Sequence, residues 1–135
     1  MGKRGGTGSF DNDDAMDWIA DFGGDGANSI EEAFEIINDL DPGDYIEADV
    51  AAHAIAAAEL VAAARDGDVS RLPKEAVVSL KENAAKINAA KLTGAARKSI
   101  SRILKASELK EQWGDTPDAE EWEDSVREVL ERVKG

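Results

Sequence analysis

The sequence predicts an all-α fold: one compact single-domain bundle of about six or seven helices behind a glycine-rich N-terminal arm. Three observations carry this. Every apolar pattern repeats with helical spacing, and none alternates with the period of two that a half-buried strand needs. Caps, prolines and glycines fall between those patterns, where helices start and stop. The chain has 135 residues, 42% of them hydrophobic and 33% charged, which suits one ordinary core rather than a disordered chain.

Taken in order, residues 1–10 read as an irregular arm of a single domain spanning 1–135, because "MGKRGGTGS" is rich in glycine. Asp11 or Asn12 can cap a first helix over about 12–22. Its Ala15, Trp18, Ile19 and Phe22 fall at i, i+3, i+4 and i+7. "GGDGAN" then breaks the chain. Ser29 and Glu32 have the S-x-x-E spacing of a capping box. They predict a second helix over about 30–40 that buries Ile30, Ala33, Phe34, Ile37 and Leu40. "DPGD" at 41–44 is a turn built on Pro42 and Gly43.

A third helix over about 47–65 should stop at Gly67, with Val50, Ala54, Ala57, Ala58 and Val61 on one face. Alanine there lets neighbouring helices approach closely, which predicts a central position. Pro73 suits the first turn of a fourth helix with the stripe Val77, Leu80, Ala84 and Ile87. Thr93 can cap a fifth, turning Ala96, Ile100, Ile103 and Leu104 inward and Lys98, Arg102 and Lys105 to the other side. "SELKEQW" reads as a short sixth helix. Thr116 and Pro117 open the last, in which Trp122, Val126, Val129, Leu130 and Val133 form the buried stripe.

The net charge of −13 is unevenly spread. Residues 1–70 carry 3 basic and 17 acidic residues, a net −14. Residues 71–110 carry 10 and 3, a net +7, and residues 111–135 carry 3 and 9, a net −6. Phosphates need cations, so the acidic half argues against nucleic acid. It favours a basic partner surface, or docking onto the chain's own basic segment. With no cysteine, disulfides, zinc–thiolate sites and thiol catalysis are excluded. "MGKRGG" is followed by "TGSFDNDD" where a signal peptide needs an apolar stretch, and "AAHAIAAAELVAAA" is too short to span a bilayer. The expected location is cytoplasmic, with no membrane partner.

The densest charge is in "SFDNDDAMDWIADF". As a calcium loop it fails in both registers. From Asp21, position 3 is Gly23 and position 8 is Asn28; from Asp11, position 6 is Met16 rather than glycine. Asp11 to Asp13 fit a helix start better, where carboxylates and amides satisfy free N–H groups. That leaves Asp14, Asp17 and Asp21 on one helical face, and Glu31, Glu35 and Asp39 on another. Each face is either solvated or a docking surface. His53, the one histidine, has no nucleophile motif beside it. Glu59 reads as a buried carboxylate or an exposed one. Its phase with Ala52, Ala63 and Asp66, opposite Val61, favours exposure. "GGTG" lacks the Gly-Lys-Ser/Thr end of a phosphate loop. Lys98, Arg102 and Lys105 could meet phosphate, but as three cations inside a −13 protein they are expected to pair with the acidic faces.

"GTGSFDNDDAMDW" resembles the N-terminal signature of a bacterial family, domain of unknown function 4259, in the run Phe10, Asp11, Asn12, Asp13, Asp14, Ala15 and Asp17-Trp18. "YIEADVAAHAIAAAELVAA" is similar to its alanine-rich helix, with Glu47 and Glu59 at acidic positions, and "SELKEQW" with Trp122 to its C-terminal pattern. Lys3-Arg4 depart from the family's Thr-Trp, and "NAAKINAAKLTGAA" looks like an addition. The family carries no established activity, so the resemblance implies one fold and gives no mechanism. The expectation is therefore a non-enzymatic, cofactor-free and metal-free protein-binding domain. Asp14, Asp17, Asp21, Glu31, Glu35 and Asp39 would meet a basic protein, as in an immunity or antitoxin-type inhibitor of a basic toxin or nuclease. The alternatives are a structural or regulatory domain with a solvated acidic surface and, more distantly, a carboxylate-based metal hydrolase.

Overall fold

The structure, a computed structural model, describes residues 8–10, 12–25, 27–41 and 43–134, with the backbone alone at 21, 23–25, 27 and 84. It is all-α, with α1 at Asp13–Asp25, α2 at Ala27–Asn38, α3 at Ala48–Asp66, α4 at Lys74–Asn83, α5 at Ala89–Lys105, α6 at Glu108–Gly114 and α7 at Ala119–Lys134. A single 3-10 turn, Ala84–Lys86, follows α4. No strand occurs among the described residues.

Helix α3 is the axis of the bundle, and α1, α2, α5, α6 and α7 all pack on it. The sequence pattern assigned it one buried face. In fact residues 51–52 and 54–63 are all buried, so the helix is covered on every side. Alanine explains this, because a helix bristling with methyl groups is thin enough to be surrounded. It ends where expected: Gly67 adopts φ 78°, the left-handed conformation glycine favours, and its N–H donates to the Ala63 carbonyl at 2.8 Å.

The inward stripes of the other helices fall as their spacing requires. Ala15, Trp18, Ile19 and Phe22 of α1 are buried, as are Ile30, Ala33, Phe34 and Ile37 of α2. Ala96, Ile100, Ile103 and Leu104 of α5 are buried too, with Trp122, Val126, Val129 and Val133 of α7. Trp18 stacks on Phe22 with centroids 5.6 Å apart.

The helix starts differ more. Asn12 caps α1, its Oδ1 accepting the Ala15 N–H at 2.8 Å; Asp11 lies outside the described residues. Helix α2 begins at Ala27, so Ser29 sits inside its first turn as a buried residue and the expected capping box does not form. Helix α5 starts at Ala89, where the Asn88 side chain accepts the Lys91 N–H at 3.1 Å. Thr93 is thus within the helix and donates its hydroxyl to the Ala90 carbonyl. Thr116 accepts the Asp118 N–H in the turn before α7. Ser107 caps α6, accepting the Lys110 N–H at 3.1 Å. That helix start is tied to the start of α3: the Glu108 N–H donates to the Ile46 carbonyl, and the Glu108 carboxylate accepts the Ala48 N–H, both at 2.8 Å.

Two further expectations are corrected. Ser9 and Phe10, assigned to the arm, are buried in the fold; residues 1–7, including Lys3-Arg4, lie outside the described residues. Arg102 does not pair with a carboxylate. Its Nη1 donates to the Ile37 and Leu40 carbonyls at 2.6 and 2.9 Å, and its Nη2 to Asp41 at 2.9 Å. It therefore closes the C-terminal end of α2, where a cation meets the negative pole of the helix.

Candidate interaction face

Asp14 and Asp17 of α1 are exposed, as are Glu31 and Glu35 of α2 and Asp39 just beyond it. Asp21 lies in α1 with its side chain outside the described residues. Each described carboxylate sits opposite an apolar stripe, so burying the stripe pushes the charge outward. None of them forms an ion pair among the described residues. Every ion pair there lies instead within α7 or joins it to α3 and the 67–73 loop, with Arg71 linking the last two directly. The basic segment 71–110 packs α5 against α2 without neutralising this face.

Between α1, α2 and α3 the face holds a hollow of about 170 Å³. Trp18, Val50 and Ala33 give it apolar walls, and Ile36 stands beside it 52% exposed. Ser29, Glu32 and His53 supply its polar groups. No hydrogen bond joins these three, so the chain of nucleophile, base and orienting group that acyl transfer needs is not assembled. Among the described residues no cluster of three or more His, Asp or Glu side chains could hold a metal.

Glu59 reverses its expected exposure. It is fully buried, and its Oε2 accepts the Ser9 hydroxyl at 2.7 Å and Arg71 Nε at 2.9 Å. Arg132 Nη1 reaches its Oε1 at 3.3 Å. Arg71 also binds Glu128 and the Ser125 carbonyl and hydroxyl. Arg132 binds Asp66 and the Asp68 carbonyl. Asp68 is itself held below the usual carboxylate range, first by its hydrogen bonds with Ser70 and then by Arg132 and Arg71 nearby. The helical phase of Glu59 was read correctly; the error was assuming that this side of α3 meets water. An apolar run on all sides of one helix was the signal, since such a helix is buried all round and its lone carboxylate must be paired. The hollow had no comparable signal, because Glu32 and His53 meet only when α2 and α3 pack.

The model of one family, described as Domain of unknown function (DUF4259), matches residues 5–125. No curated protein and no solved structure matches the chain. Among the described residues no helix is long and apolar enough to cross a membrane.

Proposed function

The chain belongs to the DUF4259 family, and we propose that this member binds a basic protein through the acidic face of α1 and α2, as an inhibitor-type module of the immunity or antitoxin kind. The observation that carries the proposal is the unpaired state of that face. The chain has a segment of net +7 packed beside it, yet Asp14, Asp17, Glu31, Glu35 and Asp39 form no ion pair among the described residues. Self-neutralisation is the alternative use of the acidic half: Glu59 pairs with Arg71 of the basic segment, whereas the described carboxylates of the α1–α2 face form no such pair.

Opposite charge on a partner would speed its approach and set its orientation. The hollow beside Ile36 supplies what charge alone lacks, an apolar contact within the acidic field. Its Trp18 and Val50 walls suit the stem of a lysine or arginine, and the Glu32 carboxylate suits its head.

The test is capture from the native host followed by kinetics on the captured protein. Association should slow markedly as salt shortens the Debye length from roughly 30 Å at 0.01 M to about 10 Å at 0.1 M. The Asp17→Lys/Glu35→Lys variant should slow it at low salt. A partner that binds equally fast at both salt levels, or ignores the reversals, would leave the face as solvated surface and remove the support for an inhibitor.

A further inference from the structure

A second cavity lies on the other side of Arg102. It has a volume of about 640 Å³ and runs between the end of α2, the 43–47 segment, the C-terminal half of α5 and α6. Three cations line it: Lys98, Arg102 and Lys105. Arg102 is half-buried and spends three hydrogen bonds on backbone carbonyls, none on a carboxylate. Lys98 and Lys105 are exposed and form no ion pair among the described residues. The carboxylates that share the cavity, Asp44 and Glu111, are already engaged. Asp44 accepts the Asp41 N–H at 2.9 Å, and Glu111 accepts the Tyr45 hydroxyl at 2.9 Å.

The remaining lining is mixed, with Asn38 and Ser107 beside apolar groups. Leu40 and Ile46 line the cavity, and Tyr45 stands at its edge 56% exposed. The bond to Glu111 anchors the Tyr45 hydroxyl, which keeps the ring at the edge of the cavity. A solvent-exposed aromatic ring thus stands next to three cations without carboxylate partners, in a domain of net −13.

The geometry points to a binding site for a small aromatic anion: a flat ring stacked on Tyr45, with its carboxylate, sulfonate or phosphate group toward Lys98 and Lys105. The volume falls in the range of small-molecule pockets, about 300–1,000 Å³, and the mix of apolar surface with a few convergent charges is their usual lining. The overall negative charge of the protein does not forbid this. At 0.1 M salt the screening length is about 10 Å, so the cations within the groove dominate at contact. This site is separate from the α1–α2 face and does not depend on it.

The experiment is a titration of the ¹⁵N-labelled full chain with 8-anilinonaphthalene-1-sulfonate, followed by amide shifts, with inorganic phosphate titrated in parallel. Shifts should gather at residues 38–46 and 98–111, and phosphate should produce much smaller ones. The Lys98→Glu/Lys105→Glu variant should weaken the probe by about tenfold or more, the equivalent of about 1.4 kcal/mol. Tyr45→Ala should weaken it severalfold. Lys91→Glu, on the same stripe of α5 but outside the cavity, should leave it unchanged. The variants exchange exposed side chains, and each spectrum reports directly whether the fold is kept. Shifts scattered over the protein would overturn the assignment. So would equal weakening by Lys91→Glu, indifference to the double reversal, or phosphate binding as well as the probe.

Discussion

Two sets of carboxylates in this molecule have opposite fates. Around α3 and α7, Glu59, Asp66 and Glu128 are drawn into one network by Arg71 and Arg132. On α1 and α2, Asp14, Asp17, Glu31 and Glu35 are exposed and form no ion pair among the described residues. The sequence shows both sets as acidic residues on helices. What starts the difference is one covered residue, Glu59: Asp66 and Glu128 are exposed themselves and join the network because the arginines brought to Glu59 also reach them. Glu59 is covered, and a bare buried carboxylate would cost several kcal/mol, so the fold must bring cations to it. The exposed set is hydrated and makes no such demand. Their unpaired row makes no demand on the packing, which is why function is sought there.

The largest effect should come from removing the buried charge. Glu59→Ala leaves Arg71 and Arg132 facing each other across an empty space, with their side chains only 25% and 17% exposed. Breaking such a network costs about 3–5 kcal/mol. In a chain of this size that should lower the melting temperature by more than about 10 °C, as read by circular dichroism. A drop of only a degree or two would mean that water already screens this cluster and that the contrast with α1–α2 is false.

Next in size is Ser9→Ala. The Ser9 hydroxyl bonds the buried Glu59 Oε2 from 50 positions away in the chain. Hydrogen bonds to charged groups contribute about 1.5–3 kcal/mol, and Arg71 still holds the same oxygen, so about 1–2 kcal/mol is expected from urea midpoints. An unchanged midpoint would show that the segment before α1 merely rests on the domain.

The opposite result is expected on the other face. Asp17→Lys/Glu35→Lys should shift stability by no more than about 0.5 kcal/mol, because neither side chain has a folded-state partner to lose. A clear destabilisation would reveal a structural role for those carboxylates and count against a docking face. Millimolar calcium or magnesium should likewise leave the melting temperature in place, since a site that binds only the native state would raise it. A saturable rise abolished by Asp13→Ala would expose a metal site.

How much of this was legible beforehand follows the same division. Helical spacing placed Trp18, Phe34, Ile100 and Val129 in the core correctly, because burial of a stripe is a local consequence of period. Gly67 was legible as a stop, since it acts on backbone groups a few residues away. Ser29 and Thr93 were misread for a competing local reason: Ala27 and Asn88 begin the helices earlier, and a cap signal inside a helix looks the same as one at its edge. Arg102 and the His53 hollow were not legible, and for Glu59 the apolar run on all sides of α3 signalled burial but not which cations meet it. Their surroundings are made by elements 12 to 73 residues distant, and no periodicity carries that information. The exposure of Asp17 and Glu35 could be read from phase, but their freedom from ion pairs could not.

The smallest effect on stability lies between the two extremes, at Glu111, an exposed carboxylate held by a neutral donor. Tyr45 gives it a hydrogen bond at 2.9 Å. That bond, then slight burial and the negative charges of Glu111 and Glu108, push the Tyr45 hydroxyl from 10.0 up to about 12. The sign follows from which form is favoured in the folded state. The folded value lies above the unfolded one, so this contribution to stability is complete below pH 10 and is lost as pH rises through about 12. Tyr45 is the single tyrosine of the chain, so absorbance near 295 nm reports its ionisation alone. The midpoint should lie near 12 while circular dichroism still shows a folded helical protein. Glu111→Gln keeps an acceptor but removes the charge, and should bring the midpoint back toward 10. A wild-type midpoint at 10 would mean that the pair does not persist in water. The ring would then be free to swing from the groove, Glu111 would join Asp17 and Glu35 among the merely hydrated carboxylates, and the aromatic wall of the anion site would be lost with it.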